Sequence, residues 1–177
     1  MKAVFLALPD CEISQVAPLQ RLLTAHGWSI RTLTIGGQAV RTDGGIRLAS
    51  DGDVYRTFPG DFELLLVAGG KITEQDIRDP GLIRFLRQYD VSGGAIACIG
   101  SGAVIIGAAG LLGGLRAAVD SDLVQAFPEA FMHAILTDQP VARDGSVTTA
   151  RSNAHAQFEE ITVEILETYH QARRKHT

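Results

Sequence analysis

The chain of 177 residues contains only two cysteines and no apolar run long enough to cross a membrane. The N-terminal apolar stretch, residues 3–8, is too short for the core of a signal peptide, so we expect a reducing, cytoplasmic location. Two cysteines cannot build a disulfide framework, so in that compartment each is either a buried apolar residue or a reactive group. Basic and acidic residues are interspersed, and the net charge is −4. Because there is no basic stripe we expect no nucleic-acid partner, and because there is no long apolar run we expect no membrane partner.

Short apolar runs alternate with helical patterns along the chain. The predicted strands are residues 2–8, 28–35, 62–68 and 95–98. The predicted helices are residues 16–27, 80–89 and 101–112, with a last amphipathic helix around Phe158. Hairpins are predicted at Gly44-Gly45 and at Asp144-Gly145. This alternation predicts an α/β fold with a mostly parallel sheet covered on both faces, as one domain over residues 1–177.

Cys98 ends a predicted core strand and is followed by Ile99-Gly100-Ser101-Gly102. In such sheets ligands bind outside the carboxyl ends of the strands, and a sharp turn into a helix can expose a nucleophile. A thiol near a helix N-terminus is expected to have a pKa below that of a free cysteine. The alternative is a buried cysteine that packs as a small apolar residue, and the spacing alone leaves both interpretations open.

Four segments in this order resemble the ThiJ/PfpI superfamily. They are DCEIS after the first strand, LLLVAGG at 64–70, AIACIGSGAVIIGAAGLLGG at 95–114 and ARDGSVTTARSNAHAQFEEITVEIL at 142–166. The resemblance covers nearly the whole chain, and the PfpI-like, type 1 glutamine amidotransferase-like branch is the most similar. It implies the class I glutamine amidotransferase-like, flavodoxin-like three-layer sandwich, no cofactor and no metal, and a homodimer.

The resemblance also implies a set of site residues. Cys98 takes the position of the superfamily's turn cysteine, and Glu12 takes that of the acid whose carboxyl approaches the sulfur. The oxyanion donors would be the backbone N–H groups of Gly69, Gly70 and Ile99. Without the resemblance, Glu12 is better explained as an acid in the first turn of a helix.

Two features depart from the superfamily pattern. Protease-like members have a histidine directly after the cysteine, and this chain has Ile99 there. His155 lies in the loop before the last helix, where it is either a substitute base for Cys98 or a solvent-exposed residue. Cys11 is either packed or a resolving partner for Cys98.

The resemblance implies one of two functions. The first is a cysteine-dependent enzyme, a hydrolase or a glyoxalase- or deglycase-like lyase, acting on a small carbonyl or amide compound. The second is a non-catalytic oxidative-stress sensor or chaperone-like protein that uses the same cysteine. The missing histidine weakens amide hydrolysis most, because the leaving amine needs a proton donor.

Overall fold

A seven-stranded sheet forms the centre of the protein. The structure, a computed structural model, describes residues 1–174, so the last three residues of the predicted domain lie outside the described residues. The strands of this sheet are β1 (Lys2–Leu6), β2 (Ser29–Thr34), β5 (Gly52–Asp53), β6 (Leu64–Val67), β7 (Ala95–Ile99), β10 (Val141–Asp144) and β11 (Val147–Ala150). Across the sheet they lie in the order β10-β11-β7-β6-β1-β2-β5. Only β10 runs antiparallel to its neighbour, as the partner of β11 in a hairpin.

Helices cover both faces of the sheet. They are α1 (Ala17–Ala25), α2 (Pro80–Val91), α3 (Gly102–Ala108), α4 (Ser121–Ala126), α5 (Pro128–Phe131) and α6 (His155–Arg174). One buried cluster joins the sheet to α2 and α3, and a second joins it to α1 and α6. The predicted three-layer α/β sandwich is therefore confirmed.

The remaining strands form two small two-stranded sheets. They are β3 (Val40–Arg41) with β4 (Arg47–Leu48), and β8 (Arg116–Ala117) with β9 (Ile135–Leu136). The first is the hairpin predicted around Gly44-Gly45, and β10–β11 is the one predicted at Asp144-Gly145.

Successive side chains of β7 point to opposite faces of the sheet and so pack under different helices. Along β7, Ile96 and Cys98 belong to the cluster under α2 and α3, whereas Ala97 and Ile99 belong to the cluster under α1 and α6. This follows from the two-residue period of a strand. The direction of the Cys98 side chain is thus fixed by its position within the strand.

Candidate functional site

The sharp turn at the carboxyl end of β7 is made by Gly100. Strand β7 ends at Ile99, helix α3 begins at Gly102, and between them Gly100 has a φ of +59°. This left-handed conformation is readily adopted by glycine and disfavoured for other residues. A strand-to-helix turn of this kind exposes the side chain of the residue at the turn. Here that residue is Gly100, which has no side chain.

Two polar side chains border the space beside Gly100. A Cβ atom added there would lie 3.0 Å from Ser152 Oγ and 3.2 Å from Gln15 Nε2. Ser152 is held in turn by Asp120, whose Oδ2 accepts hydrogen bonds from the Ser152 hydroxyl at 2.5 Å and from its N–H at 2.9 Å. The turn thus faces a hydroxyl and an amide that are both fixed by neighbours.

Gln15 is the buried centre of this region, with 3% of its surface exposed. Its Nε2 donates to Glu12 Oε2 at 2.8 Å, and its Oε1 accepts from the Gly69 N–H at 2.8 Å. The Glu12 N–H donates to the Gly69 carbonyl at 2.9 Å. Glu12, Gln15 and the end of β6 therefore form one hydrogen-bonded unit next to the turn.

Ser101 completes the connection between the turn and the Gly69-Gly70 loop. Its Oγ accepts from the Gly70 N–H at 2.9 Å and donates to the Gly70 carbonyl at 2.8 Å. The predicted oxyanion residues Gly69 and Gly70 do lie at the turn, but Gln15 and Ser101 already accept their N–H groups. The third, Ile99, is the last residue of β7 and is buried on the α1 and α6 face.

Cys98 lies inside β7, two residues before the turn, and is 0% exposed. Its thiol donates to the Thr148 carbonyl at 3.6 Å. Burial raises the pKa of this thiol to about 12. The expectation of an exposed turn thiol with a lowered pKa is therefore wrong, because the strand continues through Cys98 and turns only at Gly100.

Cys11 is also buried, on the other face of the sheet from Cys98. Its backbone forms a bridge to Thr42, which ties the loop after β1 to the β3–β4 hairpin. Burial, followed by the negative charges of Asp43 and Glu12, raises its pKa to about 12. Both cysteines are free, and with the sheet between them Cys11 is not placed to act as a resolving partner for Cys98.

The structure brings only some of the predicted site residues together. Glu12 lies with Gly69 beside the turn, and its carboxylate contacts Gln15. His155 is the first residue of α6 and is exposed to solvent. The catalytic roles of Cys98, Glu12 and His155 stay predictions, and among the described residues no hydrogen bond joins Cys98 to either of the other two.

Sequence reasoning missed several residues that line the turn. Gly100 and Ser101 were within the motif, and the signal was the glycine itself, since a left-handed turn favours glycine. Gln15 follows Glu12 by three residues, a spacing that brings both to one side of a helical turn. Asp120 and Ser152 come from separate loops, and nothing in their local sequence indicated that they meet.

The described residues contain no cluster of three or more histidine, cysteine, aspartate or glutamate side chains able to hold a metal ion. Across the same residues, the helices are too short or too polar to span a bilayer.

Comparison with known proteins finds a curated relative of this chain. The chain is 30% identical over 159 residues to the HTH-type transcriptional regulator CdhR of Pseudomonas aeruginosa, a match that covers 85% of this chain and 46% of the regulator. The chain thus spans about half the length of that curated relative.

Solved structures show the same fold. A DJ-1 superfamily protein from Agrobacterium tumefaciens superposes with a TM-score of 0.80 at 22% identity, over 99% of this chain and 95% of the other. A two-domain protein from Anabaena variabilis with DJ-1/ThiJ/PfpI-like and ferritin-like domains gives 0.83 at 20% identity, over 94% of this chain and 48% of that one. The DJ-1/PfpI family model matches residues 1–167. This chain therefore belongs to the DJ-1/PfpI family.

Proposed function

We propose that this chain is a non-catalytic, ligand-binding domain, in which the turn after β7 recognises a small polar molecule without attacking it. The observation that carries the proposal is Gly100. A strand-to-helix elbow activates a nucleophile by exposing its side chain at the turn, and the residue at this turn has none.

The state of Cys98 supports the same conclusion. Thiolate is the nucleophilic form of cysteine. A rise in pKa from 9.0 to about 12 lowers the thiolate fraction near neutral pH by about a thousandfold. The thiol is also 0% exposed, so a substrate carbonyl has no path to the sulfur without opening of the core.

The polar groups around the turn are suited to recognition. The Glu12 and Asp120 carboxylates and the Ser152 hydroxyl are all partly exposed, and the buried Gln15 amide holds the Glu12 carboxylate in place. A few convergent polar groups at the carboxyl ends of parallel strands are typical of ligand sites in such sheets. The similarity to a transcriptional regulator supports a sensory role, in which binding controls an attached or associated DNA-binding module.

The competing hypotheses are a cysteine-dependent hydrolase or lyase and an oxidation sensor, both using Cys98. Two variants distinguish these hypotheses from the proposal. Gly100→Cys places a thiol at the turn, and Gly145→Cys places one at an exposed glycine of nearly the same φ, +58°, with no atom within 4 Å of the added Cβ. Gly145→Cys therefore controls for the backbone conformation and gives the alkylation rate of an exposed thiol.

Alkylation by iodoacetamide as a function of pH tests the thiols, and mass spectrometry assigns the modified residue. We expect Cys98 of the wild-type protein to react at least about a hundredfold more slowly than the thiol of Gly145→Cys. Turnover of a small dicarbonyl, an activated ester and an amide is measured in parallel. Wild type, Cys98→Ser and His155→Ala should all be equally inactive. A wild-type activity that Cys98→Ser abolishes would overturn the proposal in favour of the enzyme.

Binding itself is tested by thermal unfolding against a panel of small polar metabolites. A ligand at a hundred times its dissociation constant stabilises the folded state by about 2.7 kcal/mol. We expect a compound that stabilises the wild type and Gly145→Ala but not Gly100→Ala, whose methyl group fills the space beside Ser152 and Gln15. If no compound stabilises the protein, or if Gly100→Ala responds like the control, the binding role is wrong.

A further inference from the structure

A surface groove runs along helix α2, on the face of the sheet opposite to α1 and α6. It has a volume of about 800 Å³ and lies between α2 and the turn at Phe58–Gly60; we call it the α2 groove. Its lining includes Phe58, Pro59, Ile83, Val91, Arg84 and Arg87. We propose that the α2 groove binds an acidic amphipathic helix of a partner protein.

The apolar part of the groove is unusually exposed. Phe58 has 69% of its surface exposed and Val91 has 87%. Exposed apolar side chains that are grouped and rimmed by polar ones mark interaction sites, whereas single ones are common on any surface. A small ligand would leave most of both side chains in water, so a macromolecular partner fits these two residues better.

The charge of the groove indicates that the partner is negatively charged. Three arginines and no carboxylate are among the lining residues. Arg78 makes an exposed ion pair with Glu74 at 3.4 Å. Within residues 1–174 neither Arg84 nor Arg87 makes an ion pair, and Arg87 Nε donates to the Ala109 carbonyl, which holds that side chain in place. Carboxylates are the groups that guanidinium binds with two parallel hydrogen bonds.

The residue types and the shape favour a protein segment. Arginine and aromatic residues are enriched at protein interfaces and lysine is depleted, and the groove contains three arginines, Phe58 and no lysine. Two further depressions, of about 750 and 180 Å³, share Arg78 with the α2 groove, and their lining includes the carboxylates Glu74, Asp79 and Glu129, so the positively charged surface ends near the start of α2. A groove along a helix with apolar anchors suits an amphipathic helix of a partner.

A second copy of this chain is disfavoured by charge. A two-fold interface centred on the α2 groove would bring Arg84 and Arg87 close to the same arginines of the other copy. Like charges placed opposite each other across an interface cost binding free energy. The carboxylates of the partner helix would instead compensate both guanidinium groups.

The test uses two fluorescein-labelled model helices of 15 residues. The first has leucine on one face and glutamate on the other, and the second has glutamine in place of every glutamate. Binding is followed by fluorescence anisotropy with the wild-type protein, with Arg84→Gln/Arg87→Gln and with Arg21→Gln. Arg21 is an exposed arginine of α1, on the other face of the sheet, and serves as the matched control.

We expect the glutamate helix to bind more tightly than the glutamine helix, and its affinity to fall with added salt. Arg84→Gln/Arg87→Gln should weaken binding by about fivefold, and Arg21→Gln should not change it. Val91→Ser should weaken binding without changing the salt dependence, since it removes apolar contact alone.

Several outcomes would overturn the proposal. They are no binding of the glutamate helix below about 1 mM, equal binding of the two helices, and equal effects of the Arg21 and Arg84/Arg87 changes. Displacement of the helix by dodecanoate at equal molar concentration would identify a small amphiphile as the occupant. Dissociation of a dimer of this chain by the glutamate helix would identify a second copy.

Discussion

The space beside Gly100 can be measured by filling it with one methyl group. Gly100→Ala and Gly145→Ala both place a Cβ on a backbone with a φ near +60°, at +59° and +58°. That conformation costs a residue with a Cβ roughly 1–2 kcal/mol, and both variants pay the same amount. The gain from a less flexible unfolded chain is also common to both. The difference between them therefore isolates the surroundings of residue 100.

Those surroundings are close and held in place. The added Cβ of Gly100→Ala meets Ser152 Oγ at 3.0 Å and Gln15 Nε2 at 3.2 Å, whereas that of Gly145→Ala meets nothing within 4 Å. Neither neighbour can move freely, because Ser152 is bonded to Asp120 and Gln15 to Glu12. Loss of one such hydrogen bond costs about 1 kcal/mol, so Gly100→Ala should be about 1–2 kcal/mol less stable than the control.

Urea unfolding followed by circular dichroism measures this difference. With a slope of about 2 kcal/mol per molar urea, the midpoints of the two variants should differ by about 0.5–1 M. Adding Ser152→Ala removes the nearest contact and should recover part of the loss, which a double-mutant cycle reports as coupling. Equal midpoints for the two alanine variants, or no coupling to Ser152, would refute the assignment of residue 100 as the tight centre of the site.

Three further predictions concern charge, polarity and assembly. Burial raises the pKa of the Cys98 and Cys11 thiols to about 12, so the folded protein keeps both protons above pH 9 while the unfolded chain loses them. Each thiol should therefore lower the free energy of unfolding by about 1.4 kcal/mol per pH unit between pH 9 and 12, and urea midpoints at pH 8 and 10 should show a smaller drop for Cys98→Ser, in which only Cys11 contributes. Gln15→Glu removes the donor to Glu12 and adds a like charge, which should destabilise the protein by about 1–3 kcal/mol at pH 7, and unchanged urea midpoints at pH 7 would contradict the role given to Gln15. The predicted homodimer should appear by sedimentation velocity at micromolar concentration, and a monomer there would exclude it.

The sheet could be predicted because its strands are marked by local patterns. The apolar runs within residues 2–8, 62–68 and 95–98 became β1, β6 and β7 within a few residues at their ends. A buried parallel strand is continuous in apolar residues, and turn residues bound it on both sides. Helix α2 was equally visible, since Pro80 begins it and Asp79 caps it through the Leu82 N–H.

The site was harder to predict because its identity depends on an offset of two residues. The sequence of residues 95–99 does not show whether the strand ends at Cys98 or continues to Ile99. In the structure it continues to Ile99, so the turn lies at Gly100 and not at Cys98. A cysteine is more noticeable than a glycine, so the chemical interpretation followed the thiol. The left-handed preference of glycine was the better physical signal.

The hydrogen bonds of the Gly69-Gly70 loop connect this offset to function. Catalysis through an oxyanion requires backbone donors that are free to meet charge as it develops. Here the Gly69 N–H already donates to Gln15 Oε1 at 2.8 Å, and the Gly70 N–H already donates to Ser101 Oγ at 2.9 Å. An oxyanion formed at the turn would have to displace both side chains, and Gln15 is too buried to exchange its partner for water at low cost. The glycine at the turn and the satisfied amides of the Gly69-Gly70 loop therefore agree with the proposed binding role, in which the partly exposed Glu12, Asp120 and Ser152 side chains would contact the ligand.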